Sequence, residues 1–490
     1  MNQNAKIGFT RREMLAGSAC GFGALASNAL LGQSALAGSN LASTTHHRAK
    51  AKRIIFLFMQ GGVSQVDSFD YKPILEERDG ESLTWDDARQ LAKTGKRSNF
   101  KLMRSPWKFH QYGETGKPVS DLFPATAEHV DDLCFLHGMH TEGVAHGPAT
   151  LFLHCGASNF IRPSFGSWVF YGLGTENQNL PGFVTIAPSV GNGGPRNYGA
   201  AFLPPSFQGT KIGNPGKADL EIESLTRDLP MESQRAQMNL LQKLNAEQLS
   251  RRTSLGASDG ELEAAIESME LAWRMQQVGP EVLDISNESP STLARYGIDN
   301  PKTQGYGQKC LLARRLCEAG VRFIQVNYGD NSANPAWDQH SNIPKHADHA
   351  LAVDRPIAGL LDDLKERGLL EDTIVWWGME FGRTPYAQDN GTGRDHNPSG
   401  FTVWLAGGGF KPGYSHGSTD EFGFRGIQGK VHMHDLHATL LHQLGLDHER
   451  LTYSHAGRNF RLTSPLPSVC TIQSCYISIA ALVRHVHGCD

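Results

Sequence analysis

Residues 373–406 read TIVWWGMEFGRTPYAQDNGTGRDHNPSGFTVWLA, and the fold turns on them. Two apolar runs, 373–377 and 401–406, are short and rich in β-branched and aromatic residues, as strands buried in a sheet are. Between them lies a glycine-rich connection carrying Glu380, Arg383, Arg394, Asp395 and His396. A plain connector needs none of that chemistry. A site at the carboxyl end of a sheet does, because ligands of open α/β sheets gather where strands end.

Working outward, 54–59 (IIFLFM) is all apolar and ends in Gly61-Gly62, the pattern of a central parallel strand. Residues 131–136 and 321–327 read as two more strands. Helical periodicity predicts helices over 308–319 and 347–367, with Pro356 marking a kink or a first turn. Strands alternating with helices predict a doubly wound, mostly parallel α/β sheet with helices on both faces. That domain spans 45–463. Residues 190–300 interrupt it as an insertion or cap: 190–220 is a Gly-, Pro- and Asn-rich loop, and 230–278 is polar and helix-forming. The stretch VHMHDLHATLLHQLGLDHERL (431–451) predicts one surface helix whose histidines form a solvated face.

The remaining bounds come from composition. The chain has 490 residues, 20% charged and 39% hydrophobic, with a formal charge of −4. No basic stripe points to nucleic acid. Paired arginines (Arg11, Arg12) ahead of an apolar run, with a small-x-small site at 35–37, predict a twin-arginine export signal over 1–37. The expected partners therefore include the twin-arginine export machinery, and the expected location is periplasmic or secreted. No later run reaches the ~20 apolar residues of a membrane span. Cys310 and Cys317 are seven apart on a helix and should both face the core. The tail, 464–490, has no clear pattern, and Cys470, Cys475 and Cys489 could pair there after export.

Four strand ends deliver the same chemistry. After the first come Asp67 and Asp70, for which capping a helix is an equal reading. After the second come His137, His140, His146 and His154, and after the third Asp338 and His340. After the fourth come Glu380, Arg383, Asp395 and His396. Carboxylates with imidazoles suit zinc, manganese or iron, with calcium a harder alternative; a thiolate set is missing. One or two divalent cations held there would polarise an ester and activate water. His137, His140 and His154 read as structural or surface histidines.

Several segments together resemble a known family. KRIIFLFMQGGVSQVDSFDYKP, AHGPATLFLHCG, RPSFGSWVFYGLGTENQNLPGFV, EFGRTP, GRDH and HMHDLHATLLHQLGLDHERLTY are similar, in this order, to the exported domain of unknown function 1501, a sulfatase-like family of the alkaline phosphatase superfamily. The resemblance implies the alkaline phosphatase fold and metal ligation by Asp338, His340, Glu380 and His396, with Asp67, Asp70 and Asp395 as further candidates. It sets Glu380 and Phe381 where the superfamily has an Asp-His metal pair, and Gln60 where it has an aspartate. It also sets His146 where a sulfatase carries its nucleophile precursor, implying a catalytic role there, with Arg383 stabilising developing charge. The implied activity is metal-dependent hydrolysis of a sulfate or phosphate ester, on a small molecule or a polysaccharide. The alternative is a catalytically inactive relative that binds anionic glycans or serves a cell-surface complex.

Overall fold

The computed structural model describes residues 45–85, 99–215, 230–254, 260–332, 334–388 and 391–463. The segment expected to be an export signal, 1–37, and the tail with Cys470, Cys475 and Cys489 lie outside them.

Among the described residues nine strands make the central sheet: β1 (Arg53–Met59), β2 (Leu133–His140), β3 (Phe183–Ile186), β4 (Thr210–Ile212), β5 (Phe323–Tyr328), β6 (Thr373–Gly378), β7 (Phe401–Gly407), β8 (Tyr414–His416) and β9 (Val431–His432). Their order is β8-β2-β7-β6-β1-β5-β3-β4, with β9 also paired to β2. Every pairing is parallel except those of β7, which runs antiparallel between β6 and β2. The order reverses direction at β1, so the doubly wound α/β sheet expected from the sequence is present. Strand β1 lies in register with Ile54 against Ile374 on one side and Phe323 on the other.

Burial on both faces explains why the central strands are continuously apolar rather than alternating. All seven residues of β1 are buried. One face, where Phe56 stacks on Trp376 at 3.7 Å, is covered by α1 (His146–Cys155), α2 (Phe165–Leu173) and α7 (Met433–Gln443). The opposite face takes α5 (Gln304–Glu318) and α6 (His346–Glu366), with Cys317 Sγ against Thr373 Oγ1 at 3.4 Å. Cys310 and Cys317 are both fully buried, as their spacing predicts. Two long helices, α3 (Met231–Ser254) and α4 (Gly260–Leu283), occupy the inserted region.

Two expectations need correction, and of the two readings of Pro356 one falls away. The stretch after 190 is not loop throughout, because Thr210–Ile212 adds β4 to the sheet edge. Pro356 sits inside α6 rather than in its first turn. The histidine-rich helix is not a surface helix with a solvated histidine face. Its His434 and His437 are buried, and it covers the sheet. Met433, Leu436, Leu440 and Leu441 supply an apolar stripe, and Ala438 and Thr439 widen the buried surface.

Candidate metal centre

The site lies where β1, β2, β5 and β6 end. The backbone after β1 turns through Gly61, whose φ of +111° suits glycine. A Cβ there would meet the Trp337 and Asp338 nitrogens at 2.8 Å, so the loop carrying Asp338 can approach only because Gly61 has no side chain. Trp337 is wholly buried and its N–H donates to Gln60 O at 3.2 Å, fixing that loop against the end of β1. His146 is the first residue of α1, after β2. His396 sits on a two-stranded ribbon, Gly382–Ala387 with Arg394–Asn397, where it pairs with Arg383.

These elements converge on one oxygen. Asp338 Oδ1 lies 2.9 Å from His340 Nε2, 3.1 Å from His146 Nε2 and 3.2 Å from His396 Nε2. Ligand atoms of these four residues all lie within 4.8 Å of one another. The other nitrogen of each ring is committed outward. His146 Nδ1 meets Glu380 Oε1 at 2.7 Å, His340 Nδ1 meets Gln388 Oε1 at 2.5 Å, and His396 Nδ1 meets Val144 O at 2.7 Å. A carboxylate, an amide oxygen and a carbonyl can only accept, so each Nδ1 carries a proton, and in a neutral ring that leaves the Nε2 lone pair facing inward.

Three neutral rings in that tautomer would repel the Asp338 oxygen, so the cluster calls for a positive charge, either a proton on an Nε2 or a cation among the donors. His146 Nε2 is buried and makes no hydrogen bond, even at 3.1 Å from Asp338. Burial lowers the His146 pKa, but Asp338 and Glu380 outweigh burial and leave it raised. Burial lowers His396 to about 3, so that ring stays neutral. Burial alone would raise the Asp338 carboxyl; the three imidazoles and Arg383 instead hold it well below the carboxylate range. The donor set, three imidazoles and one carboxylate, fits zinc, manganese or iron and has no thiolate.

The expected ligands separate into two groups. Asp338, His340 and His396 come together, and His146 joins them as a fourth donor rather than standing apart at the attacked atom. Glu380 does not enter the cluster. Wholly buried, it accepts Gly61 N–H at 2.9 and 3.2 Å and orients His146 from behind. Asp395 also stays behind, accepting His396 N–H at 2.7 Å and lying 3.6 Å from His340 Nδ1. Asp67 is turned away into a buried pair with Arg394, at 2.6 and 2.9 Å, and accepts Ser64 Oγ–H at 2.5 Å. Asp70 takes Lys72 at 3.0 Å and Thr419 Oγ1–H at 2.5 Å. Among the described residues one such cluster is found, with donors for a cation.

Arg383 also differs from its expected role. Its guanidinium donates to the carbonyls of Gly61, Gly62, Trp337 and Arg394 and to Asp338 Oδ1 at 2.7 Å. It is wholly buried and acts as a clamp on Asp338, with no fork turned to a substrate. The outward partners Gln388 and Val144 O carry no sequence signal. A glutamine acceptor is one of many, and a backbone carbonyl is invisible in sequence.

The model of the family described as "Protein of unknown function (DUF1501)" matches residues 51–471. The chain belongs to that family. DUF1501 thus covers the sheet and all four residues of the cluster. No curated protein matches the chain by sequence. Among solved structures, it is similar to the lipoteichoic acid synthase LtaP from Listeria monocytogenes at 9% identity and TM-score 0.35, over 90% of this chain and 80% of that one. It is similar to the PsFucS1 sulfatase from Pseudoalteromonas sp. at 12% identity and TM-score 0.34, over 90% and 72%. The alkaline phosphatase from the Antarctic bacterium TAB5 is similar at 10% identity and TM-score 0.32, over 81% and 99%.

Proposed function

We propose that this DUF1501 chain is a metal-dependent hydrolase of a phosphate or sulfate ester, with one divalent cation held by His146, Asp338, His340 and His396. The observation that carries the reading is the set of three imidazoles whose Nδ1 atoms all meet acceptors outward, leaving three Nε2 atoms gathered on one carboxylate oxygen. A cation there supplies Lewis acidity and an activated water. The chain's own residues do the positioning. Glu380 fixes the His146 tautomer, Arg383 holds Asp338, and Gln388 and Val144 O orient His340 and His396. His340 is half-exposed, so the cluster is open on its side. An ester would enter past His340, whose side chain is the least buried of the four. A phosphate or sulfate ester on a small molecule or a polysaccharide suits a cationic centre of this kind.

Elemental analysis of protein purified without chelator tests this, beside the His340→Ala/His396→Ala variant. About one equivalent of zinc, manganese or iron, absent from the variant, with hydrolysis of nitrophenyl phosphate or sulfate, supports the reading. A folded protein that takes up no metal when it is supplied overturns it.

The commitment of Arg383 favours a second reading, in which the cation only stabilises the fold, because that guanidinium is taken up by Asp338 and four backbone carbonyls rather than turned to an anionic substrate. Removing metal would then lower the melting temperature with no ester hydrolysed before or after. We also propose that the protein acts after twin-arginine export, in the periplasm or outside the cell. Arg11→Lys/Arg12→Lys should leave it in the cytoplasm, and unchanged export of that variant would exclude the route.

A further inference from the structure

A second cluster of charge lies beyond the other end of α1. Helix α1 opens with His146 and is about 15 Å long by its ten residues, so the loop beyond its far end is separate from the metal cluster. That loop places Phe160 and Ile161 in solvent, 70% and 68% exposed, followed by Arg162. The hairpin of Tyr453–His455 and Arg458–Phe460 packs alongside. The Arg162 guanidinium lies 5.5 Å from the centre of the Phe460 ring, and the Arg458 guanidinium lies 5.3 Å from the same centre. Arg162 also lies 6.0 Å from the Phe160 ring.

Two cations on one ring repel each other, and neither forms an ion pair or hydrogen bond among the described residues. Arg162 is half-buried, and burial together with Arg458 lowers its pKa. Elsewhere this acidic chain pairs its buried arginines: Arg394 with Asp67, and Arg314 with Glu288 and Asp363. Arg458 is exposed and Arg162 half-buried, so both guanidiniums stay within reach of solvent with no carboxylate between them, and an anion placed there would relieve their mutual repulsion. A planar guanidinium takes a sulfate or carboxylate through paired N–H groups, and an aromatic ring stacks on the apolar face of a sugar. An exposed phenylalanine next to two unpaired arginines offers both.

We propose that Arg162, Arg458, Phe460 and Phe160 form a binding site for an anionic saccharide, separate from the metal cluster. The anion sits between the two guanidiniums, and the sugar ring lies against Phe160. This inference does not depend on the cation at His146, because none of its residues belongs to that cluster.

The test is a titration of the full chain with short dextran sulfate, uncharged dextran, inorganic polyphosphate and phosphatidylglycerol vesicles. Dextran sulfate should bind, weakening with added salt, and Arg162→Ala/Arg458→Ala should weaken it by about tenfold or more. Phe160→Ser, at a solvated position, should weaken dextran sulfate severalfold and leave any polyphosphate binding unchanged. Unaltered dextran sulfate binding by the double variant would overturn the site. Polyphosphate or vesicles binding as tightly as dextran sulfate, with no effect of Phe160→Ser, would overturn the saccharide as its ligand. Metal content is read on the same samples and should not differ between wild type and the double variant, which separates this proposal from the metal centre.

Discussion

At the scale of single residues, the sequence shows which side chains gather but not which of them point inward. Glu380 is legible because a carboxylate directly after an apolar strand is hard to explain by packing, and Asp338, His340 and His396 because other connections after strands deliver the same chemistry. Their roles were not, because a side chain's direction depends on what else is buried beside it. Glu380 reads as a ligand, yet Gly61 N–H and His146 Nδ1 hold both its oxygens away from the centre. Glu380→Gln keeps the shape and removes the charge that orients His146. Metal affinity should fall by about 10–100-fold while the fold persists, checked by calorimetric titration. Affinity unchanged would mean that Glu380 does not set the His146 tautomer. Asp67 gives the complementary test. It is wholly buried against a wholly buried Arg394, and breaking such a pair from one side costs about 3–5 kcal/mol. Asp67→Asn should therefore lower stability by that amount in denaturant unfolding and leave metal content at the wild-type level. Metal lost from a still-folded Asp67→Asn protein would restore Asp67 to the ligands.

At the scale of elements, long apolar strands and periodic helices were legible, and short edge strands were not. Strands β1, β6 and β7 carry the apolar density of a sheet buried on both faces. By contrast, β4, β8 and β9 have two or three residues each and exist only because a neighbour offers its edge. Helix α7 shows a related failure. Its histidines suggest a wet face, but β9 carries it onto the sheet, where Phe165 stacks on His437 at 5.3 Å. The turn after β1 was legible as glycine-rich, and the structure shows why it must be. Gly61→Ala places a Cβ 2.8 Å from two backbone nitrogens at a φ that side chains rarely adopt. The loop carrying Asp338 must retreat, so the variant should lose about 2 kcal/mol or more and bind metal more weakly. Gly80→Ala is a control, since its Cβ would meet nothing within 4 Å at a comparably positive φ. Gly80→Ala should cost strain alone and leave metal binding intact. Equal metal binding by both variants would show that close approach at Gly61 does not position Asp338.

Across the whole molecule, the buried histidines tie stability to pH. His154 is packed between α1 and the sheet, its ring 4.9 Å from that of Phe58, and its Nε2 has no hydrogen-bond partner. His437 Nε2 meets Leu153 O at 2.8 Å, joining α7 to α1, and His434 packs 4.8 Å from Phe152. Burial lowers all three to about 3, with His437 and His432 adding to the effect at His434. The unfolded chain binds protons on these rings near pH 6.5, and the folded chain does so only near 3. The unfolded state therefore holds more protons across that interval, and stability falls as pH falls through it. At pH 5 each ring should cost about 2 kcal/mol relative to pH 8, and the three act on one interface, so the sheet face under α1 and α7 should fail first. Melting followed from pH 8 to pH 4.5 should show a steep decline beginning near 6.5. His154→Leu keeps an apolar contact with Phe56 and Phe58 and removes one proton-binding group. Its decline should be shallower by close to one proton, read from the slope of stability against pH. A His154→Leu slope matching the wild type, with its fold intact, would mean that acid enters the molecule elsewhere.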